Sequence, residues 1–113
     1  MNQAIWIVSE DEDVNFILKT ECTMFNEQYG AAFNLRFFPS IGACSKYGSA
    51  TRQVPFYLIT EDVKEALPCF SGCIFIQHGG ELPPLPDRVV GYLYSRDMLN
   101  MKNLYCDILH AFV

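Results

Sequence analysis

Four short polar stretches hold most of the chemistry in this chain, and each follows an apolar run. Ser9, Glu10, Asp11, Glu12 and Asp13 follow AIWIV; Thr60, Glu61 and Asp62 follow FYLI; Gln77 and His78 follow CIFI; Ser95, Arg96 and Asp97 follow GYLY. Groups placed just past the carboxyl ends of strands stand at the rim of an α/β sheet, where sites form. A flavin or nucleotide phosphate needs donors from a Ser/Thr/Gly-rich loop that opens a helix. The SEDED loop offers four acids instead and repels such a group. Cys69 and Cys73, with His78 after them, raise a metal or redox reading. The paired spacing of a zinc site is missing, and no cation or helix start lies nearby to activate a thiol. His78 and His110 stand alone, without a matching nucleophile, and read as packed or surface residues. No metal and no cofactor are expected.

The elements that position these groups follow from residue pattern. Ala4 to Val8 holds two isoleucines, a valine and a tryptophan, as a strand buried on both faces does. Asp13 to Tyr29 carries Val14, Ile17, Leu18, Cys22 and Phe25 at helical spacing. Ser9, Asp11 or Asp13 caps this helix, the remaining acids suit its positive end, and Gly30 ends it. From Phe33 to Phe38 apolar and polar residues alternate, with Phe33, Leu35 and Phe37 inward, as in an edge strand. Ile41 to Tyr47 forms a short helix, and Gly48 to Gln53 a polar loop.

Phe56 to Ile59 is a third strand, and Val63 to Leu67 a helix of one or two turns stopped by Pro68. Cys73 to Ile76 and Val89 to Tyr94 are the last strands. Gly79 to Arg88, with two glycines and three prolines, fits no stable helix. The final helix buries Met101, Leu104, Tyr105, Ile108 and Phe112. Strands alternating with helices imply parallel pairing with crossovers on both faces. The expected fold is α/β and flavodoxin-like: a three-layer sandwich on a five-stranded parallel sheet in the order 2-1-3-4-5, its fourth helix short or missing.

Size and charge narrow the class. The 113 residues make one domain, 50% hydrophobic and 19% charged, large enough for a real core. A net charge of −5 argues against nucleic acid, which needs a basic face. No apolar run reaches the roughly 20 residues needed to span a bilayer, and the start lacks a signal peptide's basic front. A cytoplasmic protein without membrane insertion is expected. Its five cysteines, at 22, 44, 69, 73 and 106, are odd in number and dispersed. They read as reduced thiols packed as small apolar groups.

With IWIVSED after the first strand, FYLITED after the third and GYLYSRD after the fifth, the chain resembles a CheY-like receiver domain over nearly its whole length. The resemblance implies a rim pocket in which two acids hold Mg²⁺. An aspartate ending the third strand takes a phosphoryl group, and a hydroxyl after the fourth strand and a lysine after the fifth contact it. Such chemistry needs carboxylate oxygens, a carboxylate nucleophile and a point cation. Here Ser9 and Glu10 stand at the two acid positions, with Asp11 following. Thr60 stands at the acceptor position, Gln77 or His78 at the hydroxyl and Ser95 at the lysine, with Arg96 where a proline usually follows. A threonine cannot form an acyl phosphate.

The resemblance therefore implies a pseudo-receiver, a kept fold without catalysis, working through a surface. That surface is expected around Tyr92, Tyr94, Arg96, Met98 and Met101. The partner is another protein or a second copy meeting the face from the fourth to the fifth helix. Domains of this length ending in a helix like MKNLYCDILHAFV also resemble the amino-terminal domains of the ParA/MinD-like ATPases of Tad-type pilus assembly, TadZ and CpaE. That likeness implies a localisation module at the front of a longer protein. The alternative is a phosphorylatable receiver with an atypical acidic pocket of Glu10, Asp11 and Glu61 or Asp62.

Overall fold

A computed structural model of the protein describes residues 4–55, 57–70, 73–77, 84 and 87–111. Five strands form one sheet: β1 (Ala4–Val8), β2 (Asn34–Phe38), β3 (Tyr57–Thr60), β4 (Cys73–Gln77) and β5 (Val89–Tyr94). All neighbours pair in parallel, in the order β2-β1-β3-β4-β5. Helices α1 (Glu12–Tyr29), α2 (Ile41–Thr51), α3 (Val63–Ala66) and α4 (Met98–His110) complete the elements. This is the flavodoxin-like order that the sequence pattern predicts. Among the described residues no helix stands between β4 and β5, and most of 78–86 lies outside them.

The continuous apolar run of β1 has a simple cause: each face of the sheet meets its own layer. Ile5 and Ile7 join Ile59, Ile74, Ile76 and Leu93 against α1 and α4, whose Leu18, Tyr105 and Leu109 are fully buried. Trp6 and Val8 point the other way, to Leu58, Phe38 and the residues of α2 and α3. The Trp6 ring lies 5.4 Å from Phe38, 5.5 Å from Tyr47 and 6.2 Å from Phe70. Burial of each such large side chain contributes about 1.5–3 kcal/mol.

Trp6 also explains why α2 runs past the predicted end at Tyr47. A Cβ on Gly48 would sit 3.3 Å from the Trp6 ring and 3.0 Å from the Gln53 carbonyl oxygen. Glycine there lets the helix lie close against the indole, so the helix continues to Thr51 and the polar loop shortens. Arg52 then ends it in the left-handed region at φ 55°.

The edge strand β2 corrects a second expectation. Phe33 is buried as predicted, but Phe37 is 38% exposed and Phe38 is buried. Phe38 lies on the α2 face and packs on Trp6. Phe37, beside Ile7 in register, lies on the same sheet face as Ile7, but on this edge strand it stays partly exposed. In α4 the deep residues are Met101, Tyr105 and Leu109. Leu104 and Ile108 pack at the border of the core, and Phe112 lies outside the described residues.

Candidate functional site

The carboxyl ends of β1 and β3 meet at one rim, because Val8 is the register partner of Thr60. Thr60 is fully buried. Its Oγ1 accepts the Asp62 backbone N–H at 3.0 Å, forming a tight turn out of the strand. Ser9, 9% exposed, does the same one strand away: its Oγ accepts the Asp11 N–H at 3.1 Å. Its carbonyl oxygen accepts from Asn15 Nδ2 at 3.0 Å. Both rim hydroxyls thus serve the backbone that leaves the sheet.

The acids are occupied in similar ways. Asp11, of the three capping candidates, is the one that caps α1, its Oδ1 accepting from the Asp13 and Val14 N–H groups at 3.0 and 3.1 Å. Asp62 caps α3 through the Glu65 N–H at 3.2 Å. Glu61 reaches across to β1, where its Oε1 accepts the Glu10 N–H at 3.1 Å. Glu10 itself is exposed. A hollow of about 450 Å³ lies between these groups, lined by Ser9, Glu10, Ser40, Glu61, Asp62 and Glu65 among others. Its charged lining among the described residues is entirely acidic. No set of three His, Cys, Asp or Glu side chains among the described residues converges as metal ligands do.

The rest of the predicted set lies farther along the rim. Gln77 ends β4, and His78 lies outside the described residues. Ser95, 5% exposed, follows β5, three strands from β1, or about 14 Å across the sheet. A lysine stem can narrow such a distance, and a serine side chain cannot. The structure therefore brings Ser9, Glu10 and Thr60 to one corner of the rim and leaves Ser95 at another.

The candidate surface divides as well. Tyr92 is 43% exposed, Arg96 is exposed, and Tyr94 and Met98 are half-buried. Met101 leaves the set, because it is fully buried in the core between the sheet and α4. Leu99, 69% exposed, is the residue that reading missed. The helical stripe through Met101, Tyr105 and Leu109 carries the signal, since it turns Leu99 outward.

Three thiols, Cys22, Cys44 and Cys73, are buried as small apolar groups. Burial pushes all three up from the usual thiol range, Cys44 to about 11. Cys69 corrects the expectation of uniformly packed thiols: it lies exposed just after Pro68, beyond the end of α3. Cys106, on α4, bonds Glu21 of α1 through sulfur at 3.7 Å, and burial raises it too. Lys102 Nζ reaches the other oxygen of the same carboxylate at 3.2 Å. His110 packs edge-on to Phe25 and Tyr29 at 4.9 and 4.7 Å.

Comparison of the chain with protein-family models, with curated proteins and with solved structures finds no match.

Proposed function

We propose that the protein is a non-catalytic, receiver-like domain that works by binding another protein. One observation carries this reading. At the position where a receiver's aspartate would accept a phosphoryl group, Thr60 is fully buried and its hydroxyl is bonded to the Asp62 backbone. An acyl phosphate cannot form on a hydroxyl, and a developing phosphoryl charge would meet Glu10, Glu61, Asp62 and Glu65 without a lysine after β5. Repulsion, not stabilisation, is what that lining offers a phosphate.

The surface through which it would act lies around β5 and α4, where Tyr92 and Leu99 are exposed and Arg96 follows the strand. A cytoplasmic setting is a finer reading that rests on the residue pattern of the sequence, and a role in localisation, as in the pilus-assembly ATPases, is one that rests on the sequence resemblance. In the second reading, the acids gathered around the hollow form an atypical phosphorylation pocket; the approach of Glu61 to Glu10 favours it. Incubation with acetyl phosphate and Mg²⁺, followed by intact-mass measurement, separates the two. The interaction reading expects no mass gain of one phosphoryl group. A stable gain mapped to Glu10, Glu61 or Asp62 would establish the other.

A further inference from the structure

β2 is the edge of the sheet farthest from β5, and among the described residues it pairs with β1 alone. The chain around it is described without a break from residue 4 to 55. An edge strand offers a row of backbone N–H and C=O groups to any other strand, and folds usually protect it. Here the usual protections are weak. The register with β1 is unbroken from Asn34 to Phe38, without an irregularity like the one in β5. The strand's one charge, Arg36, is turned onto its own fold: the guanidinium lies 4.5 Å from the ring centre of Tyr47 on α2. Pro39 comes only after the strand has ended.

The side chains of this edge are symmetric about their own middle. From Phe33 to Phe37 the order is apolar, polar, apolar, polar, apolar, with Leu35 at the centre. Phe33, Leu35 and Phe37 share the α1 face, and Asn34 and Arg36 share the face of Trp6 and α2. Phe33 is buried, but Leu35 is half-buried and Phe37 is 38% exposed. The α1 face therefore ends in apolar surface at this edge.

We propose that the protein forms a symmetric dimer in which β2 pairs antiparallel with β2 of a second copy, about a two-fold axis at Leu35. This goes beyond the interaction reading above, and it leaves the surface around β5 and α4 open at the two far ends of the joined sheet. Antiparallel self-pairing keeps the sheet faces in common only when centred on a residue. Centred on Leu35, it sets leucine against leucine, Phe33 against Phe37 of the partner subunit, and Asn34 against Arg36 of the partner subunit. Apolar pairs of this kind stabilise a ladder, and no like charges stand opposite. Centred on Arg36, the pairing would oppose two arginines. Centred on Asn34, it would set Arg36 and Phe37 against Ala32 and Ala31, which precede the strand. The match of this edge to itself selects a second copy, because a foreign strand requires no such symmetry.

Sedimentation equilibrium of the full chain tests the dimer, read with two substitutions of opposite sign at the exposed Asn34. Wild type should dimerise with a Kd of roughly 10–500 µM, as a short interface allows. Asn34→Asp meets Arg36 of the partner subunit twice per dimer and should tighten the Kd about five-fold; Asn34→Lys should weaken it about five-fold. Both should melt close to wild type, because residue 34 is exposed. In a Cys69→Ser background, which removes the exposed native thiol, mild oxidation should join Leu35→Cys into a covalent dimer and leave Arg36→Cys largely unjoined. A monomer at about 1 mM would overturn the proposal and leave the interaction reading standing. So would a dimer that responds to neither Asn34 substitution. A dimer that Leu99→Glu dissolves while the Asn34 variants leave it unchanged would also overturn it, and would place self-association at α4.

Discussion

Thr60→Asp restores the acceptor type of a receiver and should show what this rim does to a carboxylate. Residue 60 is fully buried, flanked in register by Val8 and Phe75, and close in chain to Glu61 and Asp62. The new side chain resembles threonine in size and can still accept the Asp62 N–H. Its charge is the difficulty. Burial and the acidic lining both disfavour the ionised form, so the folded-state pKa rises above the ordinary value of about 3.9.

The cost has a ceiling, because the folded protein can keep the group protonated. Below about pH 4 both states hold the proton, and only the packing change remains, roughly 1 kcal/mol. As pH rises, the unfolded chain releases its proton first. Stability then falls by about 1.4 kcal/mol per pH unit until the folded pKa is passed. If that pKa reaches 7, the added cost at pH 7 is about 4 kcal/mol. Urea melts of wild type, Thr60→Asp and the neutral control Thr60→Asn, across pH 4 to 7, measure this directly. The control should differ from wild type by a constant amount. A Thr60→Asp cost that stays flat with pH, or that millimolar Mg²⁺ removes, would refute the reasoning, because it would mean the rim accommodates a carboxylate or an ion.

Other expectations concern the scaffold. Asp11→Ala removes the cap that serves two N–H groups of α1 and should cost about 1 kcal/mol in chemical denaturation. Met101→Ala, in the core, should cost about 2–5 kcal/mol, whereas Leu99→Ala should stay within about 0.5 kcal/mol; equal costs would contradict the assigned faces of α4. Cys69 should alkylate rapidly in the native protein while Cys22, Cys44 and Cys73 react only on unfolding, as mass spectrometry of timed quenches would show. The raised thiols also fix the sign of an alkaline effect. Their neutral forms are favoured by folding, so their contribution is complete below about pH 8.5 and is lost as pH climbs toward the Cys44 value of about 11. Denaturant midpoints that hold steady across that interval would oppose this.

The sheet order was legible because strand runs such as AIWIV and CIFI are apolar on both faces, and only a doubly covered parallel sheet has room for them. Edge behaviour was less so. The alternation in FNLRFF implies one inner face, yet Phe38 is turned by its register with Val8 toward Trp6, a contact no local pattern encodes. Gly48 reads locally as a helix breaker, and only the indole against it shows why the helix continues. At the rim, residue types were readable in order, but the bonding was not. That Ser9 and Thr60 both turn their hydroxyls to the exiting backbone depends on burial and geometry. Gly91 left one trace, a glycine in a strand, whose meaning needed the pairing: Val89 and Gly91 face consecutive residues of β4, Cys73 and Ile74, so the strand carries an extra residue there.

The most direct test of an inert rim is a ¹⁵N-resolved NMR titration of the wild-type chain with Mg²⁺ and beryllofluoride, a mimic of an acyl phosphate. The amides of Glu10, Thr60, Glu61 and Ser95 should keep their positions at millimolar ligand. Saturable shifts centred on those four residues, with a bound state in slow exchange, would contradict it.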